Sequence, residues 1–397
     1  MAEPVQQPST FTSQYSVITA VLVLCSLVVV SGIYVTLPLG SLLADAFQAS
    51  PARAAWASSA FTLAYALGFL LFSPLSERLG RWPVMFWGLL ALGLITPLLG
   101  LAQDLSILIA LRAVQGLAAA TFAPTVMIYI TESFPPQRRV AAMGLISTGF
   151  LVSAIAGQLF SSTVSGYWDW RYVFYIHGGL CLAATLLTGL FVPRGKTVRT
   201  RASLAALYRQ LPAQFLNKRL VLCYLICLTI LLSFVGMYTI FQEELTKPPF
   251  ALTAAQLMQV RAAGLAGMIL SPFAGLLSAR FGSKRMLQAG LLLAAAGLAA
   301  AGLSSTLPLL VGMSIVYIAG ISILIPVLIS LIGLLAGERR GPAITIYSLM
   351  LFTGASAGPQ AALSLMHAGG GLTAFEALAA LLLAAFGISC FIRTPEL

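Results

Sequence analysis

The sequence predicts an all-α membrane protein: twelve transmembrane helices in two six-helix, pseudo-symmetric halves. One observation is compositional. Of 397 residues, 59% are hydrophobic and 8% are charged, and the mean hydropathy is +0.96, whereas a soluble domain carries roughly a quarter charged residues. Another is a repeat. The charged loop Ser76-Glu77-Arg78-Leu79-Gly80-Arg81 sits between two apolar stretches and returns as Ser278-Ala279-Arg280-Phe281-Gly282-Ser283-Lys284. Two copies of one helix-loop-helix unit indicate a chain built from related halves. The last is the strong segregation of Lys and Arg into alternate loops.

Crossing a hydrocarbon core about 30 Å thick takes roughly 20 apolar residues. The first half carries such spans at 17–43, 54–76, 83–102, 105–131, 141–165 and 172–192. The second carries them at 220–242, 254–278, 286–304, 308–335, 342–366 and 372–392. Segments of this length and composition are helices rather than barrel strands. Pro38, Pro124, Pro272 and Pro326 interrupt several of them, which membrane helices tolerate where neighbours satisfy the freed carbonyls.

Of the 22 Lys and Arg residues, 17 fall in the termini and in the loops after even-numbered spans, while Arg53, Arg171 and Lys247 lie opposite and Arg112 and Arg261 lie within spans. Basic residues are retained on the cytoplasmic side during insertion, so both termini are expected there. The net charge of +11 is then a topology signal that needs no nucleic acid, with anionic lipid headgroups as natural neighbours.

The chain divides into an N-terminal tail (1–16), a first bundle (17–192), a basic linker (193–219), a second bundle (220–392) and a C-terminal tail (393–397). The tail before the first span has no Lys or Arg, so that span reads as permanent rather than as a cleaved signal. Within the linker, Ser203 precedes Leu204, Leu207, Tyr208 and Leu211, the pattern of a short amphipathic segment along the membrane face. All five cysteines lie in apolar segments and read as packing residues; no metal site or cofactor is expected.

The loop between the second and third spans resembles the signature of the major facilitator superfamily, Gly-x-x-x-Asp-Arg-x-Gly-Arg-basic. The matching positions are Ser73, Glu77, Arg78, Gly80, Arg81 and Trp82. Further residues occur in the family's order: Tyr34, Pro38 and Phe47, Trp170-Arg171, and Arg139 with Arg340 in equivalent loops. The resemblance covers essentially the whole chain and points to the twelve-helix drug- and metabolite-efflux branch. It implies that Glu77 sits against the start of the eleventh helix, that the arginines pair with Glu132, and that Glu77, Arg78, Gly80, Arg81 and Glu132 form a cytoplasmic latch. Arg280 belongs to the second copy, which lacks the acid.

A second motif, Leu108-x3-Arg112-x2-Gln115-Gly116, is similar to a family signature whose arginine is linked to coupling. An arginine near mid-membrane costs at least about 2.5 kcal/mol and so faces a polar cavity or an acid; alternatively Arg112 snorkels to the headgroups. The family's antiporter signature in the fifth span is met only by Gly144 and Gly157, with Ser153, Ala154 and Gln158 replacing its other residues. Transport direction is therefore open, and Gln158 faces either the cavity or a neighbouring helix.

The resemblance implies a central cavity lined by the first, fourth, seventh and tenth helices. Polar candidates there are Tyr34, Arg112, Gln115, Tyr238, Gln242, Ser314 and Tyr317, with Gln158 and Arg261 from neighbouring spans. No Asp or Glu falls in the middle of any span, which disfavours a carrier of cationic drugs. Arg261 either anchors an anionic group or pairs with Glu243 or Glu244. Asp45, Glu132 and His177 are the candidate proton carriers, with His177 expected as a satisfied interface histidine in the outer part of the sixth span.

The expected function is alternating-access transport of a small organic solute, with proton-coupled efflux of drugs or metabolites as the leading form. An anion or zwitterion carrier and a non-transporting receptor of the same fold are the alternatives. Catalysis is not expected, because no helix-borne catalytic cluster such as His-Glu-x-x-His occurs. A multi-pass monomer in a bacterial inner membrane fits these readings.

Overall fold

The computed structural model describes residues 10–194 and 208–392, which excludes most of both tails and, from the linker, Lys196, Arg199, Arg201, Ser203, Leu204 and Leu207. The first half comprises α1 (Thr10–Tyr34), α2 (Gly40–Ala46), α3 (Pro51–Leu79), α4 (Arg81–Leu98), α5 (Leu105–Ala119), α6 (Ala123–Ser133), α7 (Pro136–Tyr167) and α8 (Arg171–Phe191). The second comprises α9 (Lys218–Leu245), α10 (Ala254–Met268), α11 (Ala274–Phe281), α12 (Ser283–Gly302), α13 (Leu307–Ala336) and α14 (Arg340–Cys390). No strand occurs among the described residues.

Local chemistry sets the helix starts. The Ser50 hydroxyl accepts from the Arg53 amide ahead of α3, with Pro51 at its first position. Asp104 caps α5 through the Ile107 amide at 2.9 Å, and Thr253 with Gln256 forms a reciprocal capping box on α10. Each satisfies amides that have no partner within the helix.

Prolines interrupt three of the expected spans and correct two of them. Proline clashes with the carbonyl four residues earlier and lacks the amide hydrogen. Accordingly α1 ends at Tyr34, four before Pro38, so the first span does not run on to residue 43. The 105–131 span holds as one crossing over Leu105–Ile130, with its helix interrupted after Ala119, beside the position four before Pro124. The 254–278 span breaks after Met268, four before Pro272, and resumes as α11 after a short 3-10 turn. The last two spans form one run, interrupted at Gly370 where φ is 81°. Among the described residues nine helices are long and apolar enough to cross a membrane, or ten if the bent α7 is one span.

Apolar side chains face outward around the bundle, including Trp87, Leu94, Leu101, Leu190 and Leu303. That surface is stable in lipid, where only backbone polarity needs internal satisfaction. Tyr167, Trp168 and Tyr172 cluster at one end, the placement of an interfacial aromatic belt.

The halves meet along two seams. Antiparallel α3 and α14 touch along their length, from Ala52, whose carbonyl accepts from Gln360 Nε2 at 3.0 Å, to Ser73, whose hydroxyl lies 3.2 Å from that of Thr345. On the other seam, α7 meets α10 through Thr163 and Met258. Gly116 permits close packing within the first half, since a Cβ there would lie 2.2 Å from the Phe61 carbonyl oxygen of α3.

Candidate functional site

The repeated loop has the same backbone in both copies. Gly80 (φ 106°) and Gly282 (φ 89°) donate their amides to the carbonyls of Ser76 and Ser278, a left-handed turn that favours glycine. This geometry joins α3 to α4 and α11 to α12. Beside Gly80, Arg81 Nε donates to Glu132 Oε1 at 3.2 Å, Nη1 donates to the Ser76 hydroxyl at 2.6 Å, and Nη2 lies 3.7 Å from Glu77. One guanidinium thereby ties α3, α4 and α6. The acids keep about a quarter of their side-chain surface exposed (28% for Glu77, 26% for Glu132), so each ion pair is worth roughly 0.2–1 kcal/mol.

Arg81 is thus the residue that meets Glu132, whereas Arg78 is exposed and makes no ion pair among the described residues. Glu77 opens onto a small pocket with Ser73, Pro74, Gly341, Pro342 and Thr345, beside Gln210 and Leu211 of the linker. The acid therefore lies near the start of α14, the eleventh predicted helix. In the second copy Arg280 lies over the Phe281 ring and Lys284 donates to the Cys390 carbonyl.

Arg112 is fully buried, so it does not snorkel. Its Nε donates to the Ala57 carbonyl at 2.8 Å, Nη1 to Gln115 Oε1 at 2.6 Å, and Nη2 to the Gly32 carbonyl at 3.0 Å and the Thr36 hydroxyl at 3.2 Å. Gln115 in turn donates to Thr96 at 2.8 Å, and the guanidinium lies 4.2 Å from the Phe61 ring centroid. Neutral acceptors and a π face replace a carboxylate. This node joins α1, α3, α4 and α5, and belongs to the packing of the first half.

Arg261 is 2% exposed and spans the second seam. Its Nη1 donates to the Ser162 hydroxyl of α7 at 2.6 Å, and Nη2 donates to the Gln242 side-chain oxygen of α9. The expected acids are elsewhere: Glu243 pairs with Lys247, and Glu244 packs at Gly371. Tyr238, one turn from Gln242, places its hydroxyl against Gly264, where a Cβ would approach to 2.8 Å. Arg261 Nε and the Tyr238 hydroxyl are both buried with no hydrogen-bond partner among the described residues.

The remaining candidates separate. Tyr34 is buried and meets Phe234 edge-on, 6.3 Å between centroids. Tyr317 donates to Ser233 at 2.9 Å, Ser314 caps back to the Val311 carbonyl, and Gln158 donates to the Ala154 carbonyl of its own helix while its oxygen stays unpartnered. Asp45 is exposed on α2. His177 is buried at 1% exposure, not an interface histidine, because α8 turns it inward onto α1. There Nε2 lies 3.0 Å from the Val28 carbonyl and 3.3 Å from the Ser31 hydroxyl. The acceptor-only carbonyl assigns the hydrogen to Nε2, leaving Nδ1 unpartnered.

Ser162, Thr96, Thr36 and the Gly32 and Ala57 carbonyls were not legible as partners in the sequence. Only the hydroxyl run Ser161-Ser162-Thr163 in the fifth span offers a signal. Among the described residues no three His, Cys, Asp or Glu side chains come together as a metal site, and the four cysteines within α1, α8 and α9 are buried as free thiols.

The sequence profile of the Major Facilitator Superfamily matches residues 20–260 and 249–397. The chain is 26% identical over 285 residues to the inner membrane transport protein YnfM of Escherichia coli, covering 70% of this chain and 68% of that protein. It is 27% identical over 151 residues to the multidrug export protein EmrB of Escherichia coli, 38% of this chain and 29% of EmrB. The fold matches the inward-facing, occupied crystal structure of a bacterial homologue of the human lysosomal transporter Spinster, with TM-score 0.74 and 16% identity over 96% of this chain and 97% of that one. The two profile matches together span nearly the whole sequence, and the helical membrane fold agrees with them: the chain belongs to the Major Facilitator Superfamily as a multi-pass membrane transporter.

Proposed function

We propose that this transporter works by alternating access and carries a small organic solute bearing an anionic group. The observation that supports this is Arg261, a buried guanidinium at the seam between the halves with neutral partners. A buried cation without a counterion favours an anion that arrives by binding. Arg112 adds a second positive charge within the first half, and the sequence offers no mid-span acid to oppose either.

The cluster of Glu77, Arg81 and Glu132 is then a gate on the cytoplasmic face, holding α3, α4 and α6 together beside α14 until the halves rock. The bias of Lys and Arg toward that face supports an inner-membrane protein with cytoplasmic termini. One chain suffices for transport, since the solute path lies between its own halves.

Similarity to the multidrug export protein EmrB over 38% of the chain favours a second reading, proton-coupled efflux of drugs or metabolites. A proteoliposome flux screen with anionic, cationic and neutral solutes, read with an internal pH-sensitive dye, tests both. Saturable anion flux is expected for the first. Movement of cations alone, accompanied by counter-moving protons, would replace it with the second.

A further inference from the structure

Gln242 and Tyr238 lie one turn apart on α9 and face Arg261 and Gly264, one turn apart on α10. A guanidinium offers a carboxylate two parallel hydrogens along one edge, from Nε and Nη2. In Arg261 that edge is half used. Nη2 is held by the Gln242 side-chain oxygen, while Nε has no partner, and Nη1, on the opposite edge, holds Ser162. Beside it the buried Tyr238 hydroxyl is also unpartnered. Unmet buried donors carry a large desolvation cost, so these two, one on the cation itself and one on the facing helix, mark a place where an acceptor belongs.

We propose that Arg261 and Tyr238 form a carboxylate subsite in which Gln242 is a placeholder: a ligand carboxylate takes the Nε and Nη2 edge together, accepts from the Tyr238 hydroxyl, and displaces the Gln242 amide oxygen. Arg261 keeps Ser162 through Nη1, so the ligand is held while the arginine still ties α10 to α7. The body of the ligand is aromatic. Tyr34, Phe234, Tyr238 and Phe241 form a chain of edge-to-face rings running from α1 along α9, with centroids 5.2 to 6.3 Å apart, a wall that suits a flat apolar group. The assignment rests on the anion reading given above and names its residues and ligand class.

The test is equilibrium binding of radiolabelled 2-naphthoate to the purified full chain, with 2-naphthamide as neutral isostere. Naphthoate is expected to bind in preference to the amide. Tyr238→Phe is expected to weaken it about tenfold, the loss of one hydrogen bond to a charged acceptor. Gln242→Ala is expected to tighten it several-fold, because it removes the internal competitor; an ordinary substrate ligand at 242 would give the opposite sign. Equal binding of acid and amide, indifference to Tyr238→Phe, or unchanged or weaker binding in Gln242→Ala overturns the subsite. If vesicles move anions while Gln242→Ala leaves naphthoate binding unaltered, the subsite falls and the anion reading stands. Absence of any anion flux counts instead against that reading.

Discussion

Ser59 and Ser356 exchange hydrogen bonds across the two halves. The Ser59 hydroxyl donates to the Ser356 carbonyl at 2.6 Å, and the Ser356 hydroxyl donates to the Ser59 carbonyl at 2.8 Å. Gly80 and Gly282 are 202 positions apart, and the same offset carries Ser59 to Arg261. Equivalent positions of the repeat therefore make both seams, one through a neutral exchange and the other through a cation that holds Ser162. The Ser59 and Ser356 exchange satisfies both hydroxyls, whereas Arg261 at the α7–α10 seam leaves its Nε unused.

Replacing Ser59 or Ser356 with Ala removes one donor and leaves the opposite carbonyl with its other partners. Hydrogen bonds between membrane helices average about 0.6 kcal/mol. Each single variant should lower stability in detergent by roughly that amount and the double variant by about twice as much, measured by unfolding in denaturing detergent. A loss confined to one of the two would argue against reciprocal bonding.

Arg112→Ala takes the donor from the Gln115 amide oxygen and the Thr36 hydroxyl and opens a cavity in a sealed site, so stability should fall by about 2–5 kcal/mol. Gln115→Ala should cost less, about 1–2 kcal/mol, because the Arg112 guanidinium retains three other acceptors. Folded yield on size-exclusion chromatography with a thermal melt gives the comparison. A well-folded Arg112→Ala protein would mean that the node is dispensable.

Two glycines of the helix motifs should behave differently. A Cβ at Gly116 would lie 2.2 Å from the Phe61 carbonyl oxygen, whereas at Gly144 nothing lies within 4 Å. Gly116→Ala should destabilise by about 1–3 kcal/mol or more through backbone displacement. Gly144→Ala should be neutral or stabilise by up to about 1 kcal/mol, since alanine restricts the unfolded chain in a helix. Melting temperatures of the two variants side by side decide this.

Charge neutralisation tests the Arg81 and Glu132 pair. A double-mutant cycle with Arg81→Gln and Glu132→Gln should give a coupling of roughly 0.2–1 kcal/mol, reduced at high salt as expected for a partly exposed pair. If the pair gates transport, Glu132→Gln should also raise the rate at which a cysteine placed at 345 reacts with a thiol reagent from the Gly80 side, in a background lacking the native cysteines. Unchanged reactivity would leave the pair a purely structural tie.

Much of this arrangement was legible in the residues. Composition and the repeated loop specified a helical membrane transporter because lipid admits few other backbones, and Gly80 and Gly282 repeat because a left-handed turn strongly prefers glycine. The prolines are visible in the sequence, but hydropathy continues smoothly through the breaks at Tyr34, Ala119 and Met268, so it does not mark where each helix ends.

The partners of the buried charges were a different matter. Sequence placed Arg112, Arg261 and His177 in apolar spans and left open whether each reached an acid, a cavity or the interface. Only helix packing decided that Arg112 is closed off by the carbonyls of Gly32 and Ala57, that His177 turns inward to Val28, and that Arg261 bridges Ser162 and Gln242. Hydropathy and motif spacing fix how far along a helix a residue lies; which neighbour its polar atoms meet depends on the rotation and approach of helices far apart in the chain, and backbone carbonyls leave no trace in the sequence.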